Sequence, residues 1–436
     1  RYKKQMLASM EKAYNERDKT ESGRYVGEYI RNFLDDEPIP GISFEYEFMQ
    51  KYVPEVSLDE VNALAQNWIT ETNRVVIITG PEKEGVEMPT EEEVRQVLNE
   101  VGQMDISPYE DALTATELME QTPAPGSVAS QNEREHGITE LVLSNGVTVV
   151  LKPTDFKNDE ILMSAFSPGG ASLYPDEAYY SATNADGIVV ESGVKDLSST
   201  DIDKLLTGKN VRVAPYISSL TEGFSGSATP KDVEAMLQLL HLYFTAPRQD
   251  MQAFQSYVNK NKMIYSNLLS NPQYFFLDKV SEIMSQDHPR GGGFPSAEDW
   301  DSIDYEQAFE IYSERFTDAS DFTFVFVGNF DVEEMKQMLL PYLGSLPDTD
   351  RDENWKDVGV RYPEGKIDEK VYKGTDPKSQ VTINFTGYFD YDKKLVYHMS
   401  SMTDILKNRL IDVVREEESG VYSISAGLSA QRRPIG

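Results

Sequence analysis

Between Ile138 and Leu151, two runs of alternating apolar and polar residues flank Asn145-Gly146. Asn-Gly tolerates the positive φ angles of a type I′ turn, so this stretch predicts a tight antiparallel hairpin and the start of a domain. Downstream the pattern predicts alternating element types: a strand around Glu160 to Ser167, a turn at Pro168-Gly169-Gly170, a capped helix near Asp201 to Leu206, and a strand from Val211 to Ile217. Val233, Met236, Leu237, Leu240 and Phe244 then mark one face of a helix, and helical patterns run on to about Ser285. The order is mixed α and β.

Upstream, Tyr2, Met6, Met10 and Tyr14 recur every four residues as in a helix. Ser57 begins a second capped helix that leads to the apolar run Val75 to Thr79 and a breaker at Gly80-Pro81. Thr90 and Glu93 have the spacing of a capping box. From about 103 to 136 periodicity is lost and Pro, Ser, Gln and Thr gather, which predicts an exposed connection. Ser57-Leu58-Asp59 leading to VVIITG is echoed by Ser302-Ile303-Asp304 leading to FTFVFVGNF, a weak repeat on either side of that connection. Past Lys370, VTINFTGYF predicts a strand, and Leu395, Met399, Met402, Leu406, Leu410 and Val413 form a helical stripe. The expected division is 1–100, a linker over 101–137, a domain over 138–347, and a further, truncated domain over 358–436. The chain opens on Arg1 inside a helical pattern, and closes on Arg433-Pro434-Ile435-Gly436 just past the alternating VYSISAGLSA, so both ends are expected to be cuts in a longer protein.

Size and charge narrow the class. A chain of 436 residues exceeds what one core normally supports. Its 74 acidic against 41 basic residues give a net charge of -33, which repels phosphate backbones and anionic lipid surfaces and argues against nucleic-acid or membrane-surface partners. No apolar run approaches the ~20 residues that span a bilayer. The absence of cysteine removes disulfides, thiolate zinc sites and cysteine nucleophiles together.

The chemistry left is sparse. A helical zinc site of the HExxH or HxxEH kind needs two imidazoles four residues apart, whereas His136, His241, His288 and His398 lie far from one another. His241, on an amphipathic helix, reads as a satisfied residue at the edge of the core. No GxSxG elbow is present, since Gly223-Phe-Ser-Gly-Ser227 ends on serine, and Gly291-Gly292-Gly293 lacks the lysine and helix start of a phosphate loop. Arg415 and Tyr422 are different: they bracket Glu-Glu-Glu-Ser-Gly-Val between the end of the 395–414 stripe and the next expected strand. A short helix-to-strand connection there would bring guanidinium and phenol toward one cleft, with Gly420 placed for the turn and Arg415 also suited to a helix C-terminus. A phenol can hydrogen-bond a developing oxyanion, and a guanidinium can bind peptide carbonyls.

Three stretches, LVLSNGVTVVLKPTDFKNDEILMSAFSPGGASLY from Leu141 to Tyr174, VGNF at Val327 to Phe330, and the RxxxxxxY ending at Tyr422, together resemble the M16 (insulinase/pitrilysin-like) zinc peptidases. The resemblance implies an α/β (α+β) fold of repeated domains, each an antiparallel sheet with helices packed on one face, of the LuxS/MPP-like metallohydrolase type. In that family an active domain carries HxxEH on the helix after the opening unit. The equivalent here is Ile188-Val-Val-Glu-Ser192, where only Glu191 survives, so 138–347 is expected to be a non-catalytic repeat. By the same resemblance, the chain binds no metal itself, and zinc and catalysis lie on an N-terminal half outside it. Its partners would be that half and a peptide substrate enclosed between the halves, with Arg415 and Tyr422 as auxiliary residues touching substrate and transition state. A bacterial relative of this kind would be expected in the periplasm or cell envelope. The other reading is a non-enzymatic, M16-like structural or peptide-binding subunit.

Overall fold

In this computed structural model, residues 1–433 are described, apart from 71, 81–84, 86 and 108. The breaker at Pro81 and the tail 434–436 therefore lie outside the described residues. Five helices lead: α1 (Tyr2–Asn15), α2 (Ser22–Asp35), α3 (Ile42–Tyr52), α4 (Leu58–Trp68) and α5 (Glu91–Gln103). Both capping boxes form. The Glu60 N–H donates to Ser57 Oγ at 3.2 Å while Glu60 Oε2 accepts the Ser57 N–H at 2.7 Å, and Thr90 and Glu93 repeat the pair at 3.2 and 2.7 Å. The apolar run Val75 to Thr79 joins no ladder and is exposed.

Next come β1 (Val128–Arg134), β2 (Ile138–Leu143), β3 (Thr148–Pro153), β4 (Ile161–Pro168), α6 (Tyr179–Ser192), α7 (Ser199–Leu205), β5 (Val211–Ile217) and β6 (Thr221–Ala228). The chain continues through α8 (Val233–Thr245), α9 (Met251–Ser270), α10 (Pro272–Met284), α11 (Ala297–Asp301), α12 (Tyr305–Arg315), β7 (Thr323–Gly328), α13 (Val332–Leu343) and α14 (Lys393–Leu410). The strands form one sheet in the order β1-β2-β3-β7-β4-β6-β5. Every pairing is antiparallel except β3 with β7, which run parallel. Residues 128–134, expected to belong to a connection, are the edge strand β1; their polar sequence suits a strand with one free side. At the opposite edge β5 carries Pro215, which has no N–H to offer a further strand.

Alternation puts one sheet face into the core. In β4, Ile161, Met163, Ala165 and Ser167 point in, while Leu162 and Phe166 face out. Across the sheet Leu141, Val149, Phe324, Ala165 and Phe224 lie in register and are all buried, the small Ala165 sitting between two phenylalanines. The helices α6, α8, α12 and α13 supply the covering layer, and where it meets the sheet Phe224, Phe244, Phe316 and Phe322 pack stacked, tilted or edge-to-face at 4.9–6.0 Å.

The β2–β3 hairpin forms with a different turn from the expected one. The Leu143 N–H reaches the Val147 carbonyl and the Gly146 N–H reaches Leu143, and only Gly146, at φ +83°, is left-handed. This is a three-residue loop with a glycine bulge rather than type I′. Asn145 is free to turn inward, where it is buried.

Two further expectations are corrected. VTINFTGYF and VYSISAGLSA form no strand, and Val381, Ile383 and Phe385 are exposed, the last at 93%. Apolar alternation makes a strand only when a neighbouring strand pairs its N–H and C=O groups, and among the described residues none does so here. By contrast α1 docks onto the sheet domain: Asn15 Nδ2 donates to Asp159 Oδ2 at 3.1 Å, the Asp159 N–H to Glu16 Oε1 at 2.5 Å, and the Gly208 N–H to Gln5 Oε1 at 3.2 Å.

Candidate functional site

Helix α6 carries Ile188 to Ser192, the stretch expected to stand where a metal motif would be, and its surroundings decide what that stretch can do. Ile188, Val189 and Ser192 are fully buried, the Ser192 hydroxyl has no hydrogen-bond partner, and the Ser192 carbonyl accepts Arg248 at 2.8 Å. A zinc site takes three or four nitrogen, sulfur or oxygen donors around an accessible centre. An isoleucine, an enclosed serine and the single carboxylate of Glu191 do not fit that ion. Among the described residues, no three or more His, Cys, Asp or Glu side chains gather as a metal would need. His241 is half of a core contact: its Nδ1 meets the Tyr342 carbonyl at 2.9 Å, and burial lowers its pKa.

The other candidate lies at the end of α14. There the helix widens into a π-helical turn over Ile411–Glu417, shown by the Glu418 N–H reaching the Val413 carbonyl at 3.0 Å. Such turns displace the side chains they carry and are common at functional sites. Arg415 sits on it, 51% exposed, with Glu416 at 3.5 Å. The turn that ends the helix is closed by the Gly420 N–H on the Val414 carbonyl at 2.9 Å, but the left-handed residue is Ser419, at φ +51°, not Gly420. Tyr422 follows in irregular backbone, not in the expected strand, and its ring is fully exposed. No hydrogen bond or ion pair joins Arg415 to Tyr422 among the described residues. Both groups face solvent.

One polar centre was not anticipated. Arg315, at the end of α12, is fully buried beside Glu222, whose Oε1 lies 3.5 Å from the guanidinium and accepts no hydrogen bond. Glu222 Oε2 accepts the Gly170 N–H at 2.5 Å, in a turn where a Cβ on Gly170 would stand 2.3 Å from the Ser218 carbonyl oxygen. Burial pushes the Glu222 carboxyl up to about 7, against the pull of Gly170 and Arg315. Arg315 Nε also donates to the Tyr174 hydroxyl at 2.8 Å, and burial pushes that phenol up as well. A sequence signal existed: Ala308, Phe309, Tyr312, Arg315 and Phe316 share the buried stripe of α12, and a cation on such a stripe needs a partner. A second carboxyl, Asp186 on α6, is likewise pushed up to about 7 by burial.

Comparison with known proteins agrees with this architecture. Residues 302–435 match the family model described as the Peptidase M16 inactive domain. The chain is 27% identical over 349 residues to a protein of Arabidopsis thaliana named zinc protease PQQL-like, a match covering 78% of this chain and 33% of that protein. It is 21% identical over 405 residues to the probable zinc protease PqqL of Haemophilus influenzae, covering 92% and 43% respectively. The crystal structure of the periplasmic protease PqqL from Escherichia coli superposes with a TM-score of 0.61 at 18% identity, over 99% of this chain and 48% of that one. The chain thus spans less than half the length of these relatives. Residues 302–435 are thus similar to the inactive domain of M16 peptidases, and the chain as a whole is similar in sequence to proteins named zinc proteases and in fold to the Escherichia coli protein.

Proposed function

We propose that this chain is a non-catalytic, C-terminal part of a zinc-dependent metalloendopeptidase. In this reading 138–347 is a degenerate repeat, 1–100 ends the repeat before it and 358–436 begins the one after. The chain encloses a peptide against a half of the protein that lies outside it, and that half performs the hydrolysis. Arg415 and Tyr422 complete the site from this side. The phenol donates a hydrogen bond to the oxygen on which charge develops, and the guanidinium holds peptide carbonyls.

The observation that carries the reading is the state of these two side chains. Arg415 stands half exposed on a π-helical turn and Tyr422 fully exposed just beyond it, in a chain whose own α6 donors do not fit a metal. A periplasmic location belongs to the same reading, by analogy with the Escherichia coli protein; no helix among the described residues is long and apolar enough to cross a membrane.

The test is Tyr422→Phe in the intact protein, assayed on a peptide. Loss of a transition-state donor predicts a fall in kcat of about 10²-fold with stability unchanged. Undiminished kcat sinks the assignment. The chain by itself is expected to carry negligible zinc and negligible peptidase activity, so stoichiometric zinc that follows activity through its purification overturns the division of labour.

A further inference from the structure

The connection after α13 has neither helix nor strand, yet it is fastened at almost every turn. Thr349 Oγ1 and the Arg351 N–H both donate to Asp318 Oδ2, at 2.6 and 2.7 Å, and Asp318 is fully buried. Glu353 takes two hydrogen bonds from the buried Arg315, at 2.7 and 3.4 Å, and lies 3.3 Å from Arg351 Nε. Farther on, the Lys356 N–H donates to Ser172 Oγ at 2.9 Å, and the Val358 carbonyl accepts His288 Nε2 at 3.0 Å. The His288 tautomer is set by its other nitrogen, which accepts the Arg290 N–H at 3.1 Å. Gln286 Nε2 reaches the Arg361 carbonyl at 3.2 Å.

These anchors come from separate parts of the sheet domain: the end of α12, the turn after β4 and the loop after α10. Long structureless segments inside a fold are uncommon and tend to be either flexible linkers or functional loops. A flexible linker exposes its polar backbone to water; here a buried arginine and a buried aspartate are committed to the connection. Arg315 is fixed in turn by Tyr174, Glu222 and Glu314.

We propose that residues 349–361 form a clasped strap, with Arg315 on Glu353 as its central catch, so that this segment is carried as part of the sheet domain rather than as a flexible linker. The clasp is mechanical and does not depend on whether the chain meets a peptide.

Hydrogen exchange read by mass spectrometry on the intact protein tests it. Amides of 349–361 should be protected in the wild type, and Glu353→Gln, on the partly exposed side of the catch, should speed their exchange by about tenfold or more while β4 and β6 amides keep their rates. Arg315→Met is the more drastic cut and risks unfolding, which is why the strap-side variant is preferred. A second readout is trypsin: in the wild type, cleavage after Lys356 should lag far behind cleavage after the exposed Lys378, and Glu353→Gln should close that gap. Wild-type strap amides that exchange like free chain, equal cleavage at Lys356 and Lys378, or exchange within about twofold of wild type in Glu353→Gln each overturn the proposal.

Discussion

The side-chain amide of Asn145 donates to the main-chain carbonyls of Leu343 and Leu346, at 2.9 and 3.0 Å, tying the tip of the first hairpin to the end of the last covering helix. The contact closes 198 residues of chain onto themselves. Leu343 ends α13, where carbonyls lack partners within the helix, and Leu346 lies in the turn just beyond it. Asn145→Asp removes both donors and sets a carboxylate against two carbonyl oxygens. The expected cost is roughly 2–4 kcal/mol, read by urea denaturation with an unchanged m-value. A loss below about 1 kcal/mol would show that water replaces the amide.

Gly170 is held at φ +59°, with the Ser218 carbonyl oxygen, the Thr221 nitrogen and the Leu220 nitrogen all within 3 Å of where a Cβ would sit. Left-handed backbone and a backbone wall act together. Gly170→Ala is therefore expected to cost about 3 kcal/mol or more, and to loosen the Gly170–Glu222 hydrogen bond as well. Thermal denaturation checks the first effect; a Tm within ~1 °C of wild type would mean the turn can shift.

Glu222 gives a pH dependence of definite sign. Its folded pKa, raised by burial from 4.5 to about 7, lies above the unfolded one, so between these values the folded state binds the extra proton. Stability from this group is then greatest below about pH 4.5 and falls as pH rises toward 7. His241 acts the other way, since burial lowers its pKa and stability from it rises as pH climbs toward 6.5. Asp186, also raised to about 7, adds to the Glu222 trend. Glu222→Gln separates the contributions: the wild type should lose stability relative to the variant between about pH 5 and 7.5, by roughly 3 kcal/mol at most. Parallel stability curves would mean that Arg315 keeps Glu222 ionised throughout.

What could be read from sequence was local or periodic. Ser57 with Glu60 and Thr90 with Glu93 are three residues apart and need no tertiary information, and the alternation of β2, β3, β5 and β7 followed from one buried face. The turn at Asn145-Gly146 was placed correctly but typed wrongly, because the outcome was settled by Leu343 and Leu346, remote in sequence. Residues 381–389 carried the right alternation for a strand and found no partner, since pairing is a property of two segments. The polar composition of 128–134 suggested a connection, yet an edge strand is polar for its own reason, the need to discourage pairing on its free side. Arg315 was hidden by the habit of reading charge as surface; its place on the stripe of Phe309 and Tyr312 was the visible sign. The place of Arg415 at the end of the 395–414 stripe was legible, but the strand expected at Tyr422 did not form, and the π-helical turn beneath Arg415 was not legible, because nothing in IDVVREE distinguishes five-residue from four-residue hydrogen bonding.

Arg415 offers a test that separates charge from shape. Its guanidinium is half exposed and its nearest acid is the adjacent Glu416 at 3.5 Å, a surface pair that contributes little to stability. Arg415→Lys keeps the cation and its effect on the helix C-terminus, so Tm should stay within about 1–2 °C of wild type. A planar fork that holds peptide carbonyls is lost, however, because an ammonium is a point charge on a flexible tether. If Arg415 positions substrate, kcat/KM on a peptide should fall by about tenfold or more, and Arg415→Ala should fall little further. A lysine variant with wild-type kinetics would instead assign the arginine a charge role alone, while an alanine variant that loses several degrees of Tm would assign it to the helix end.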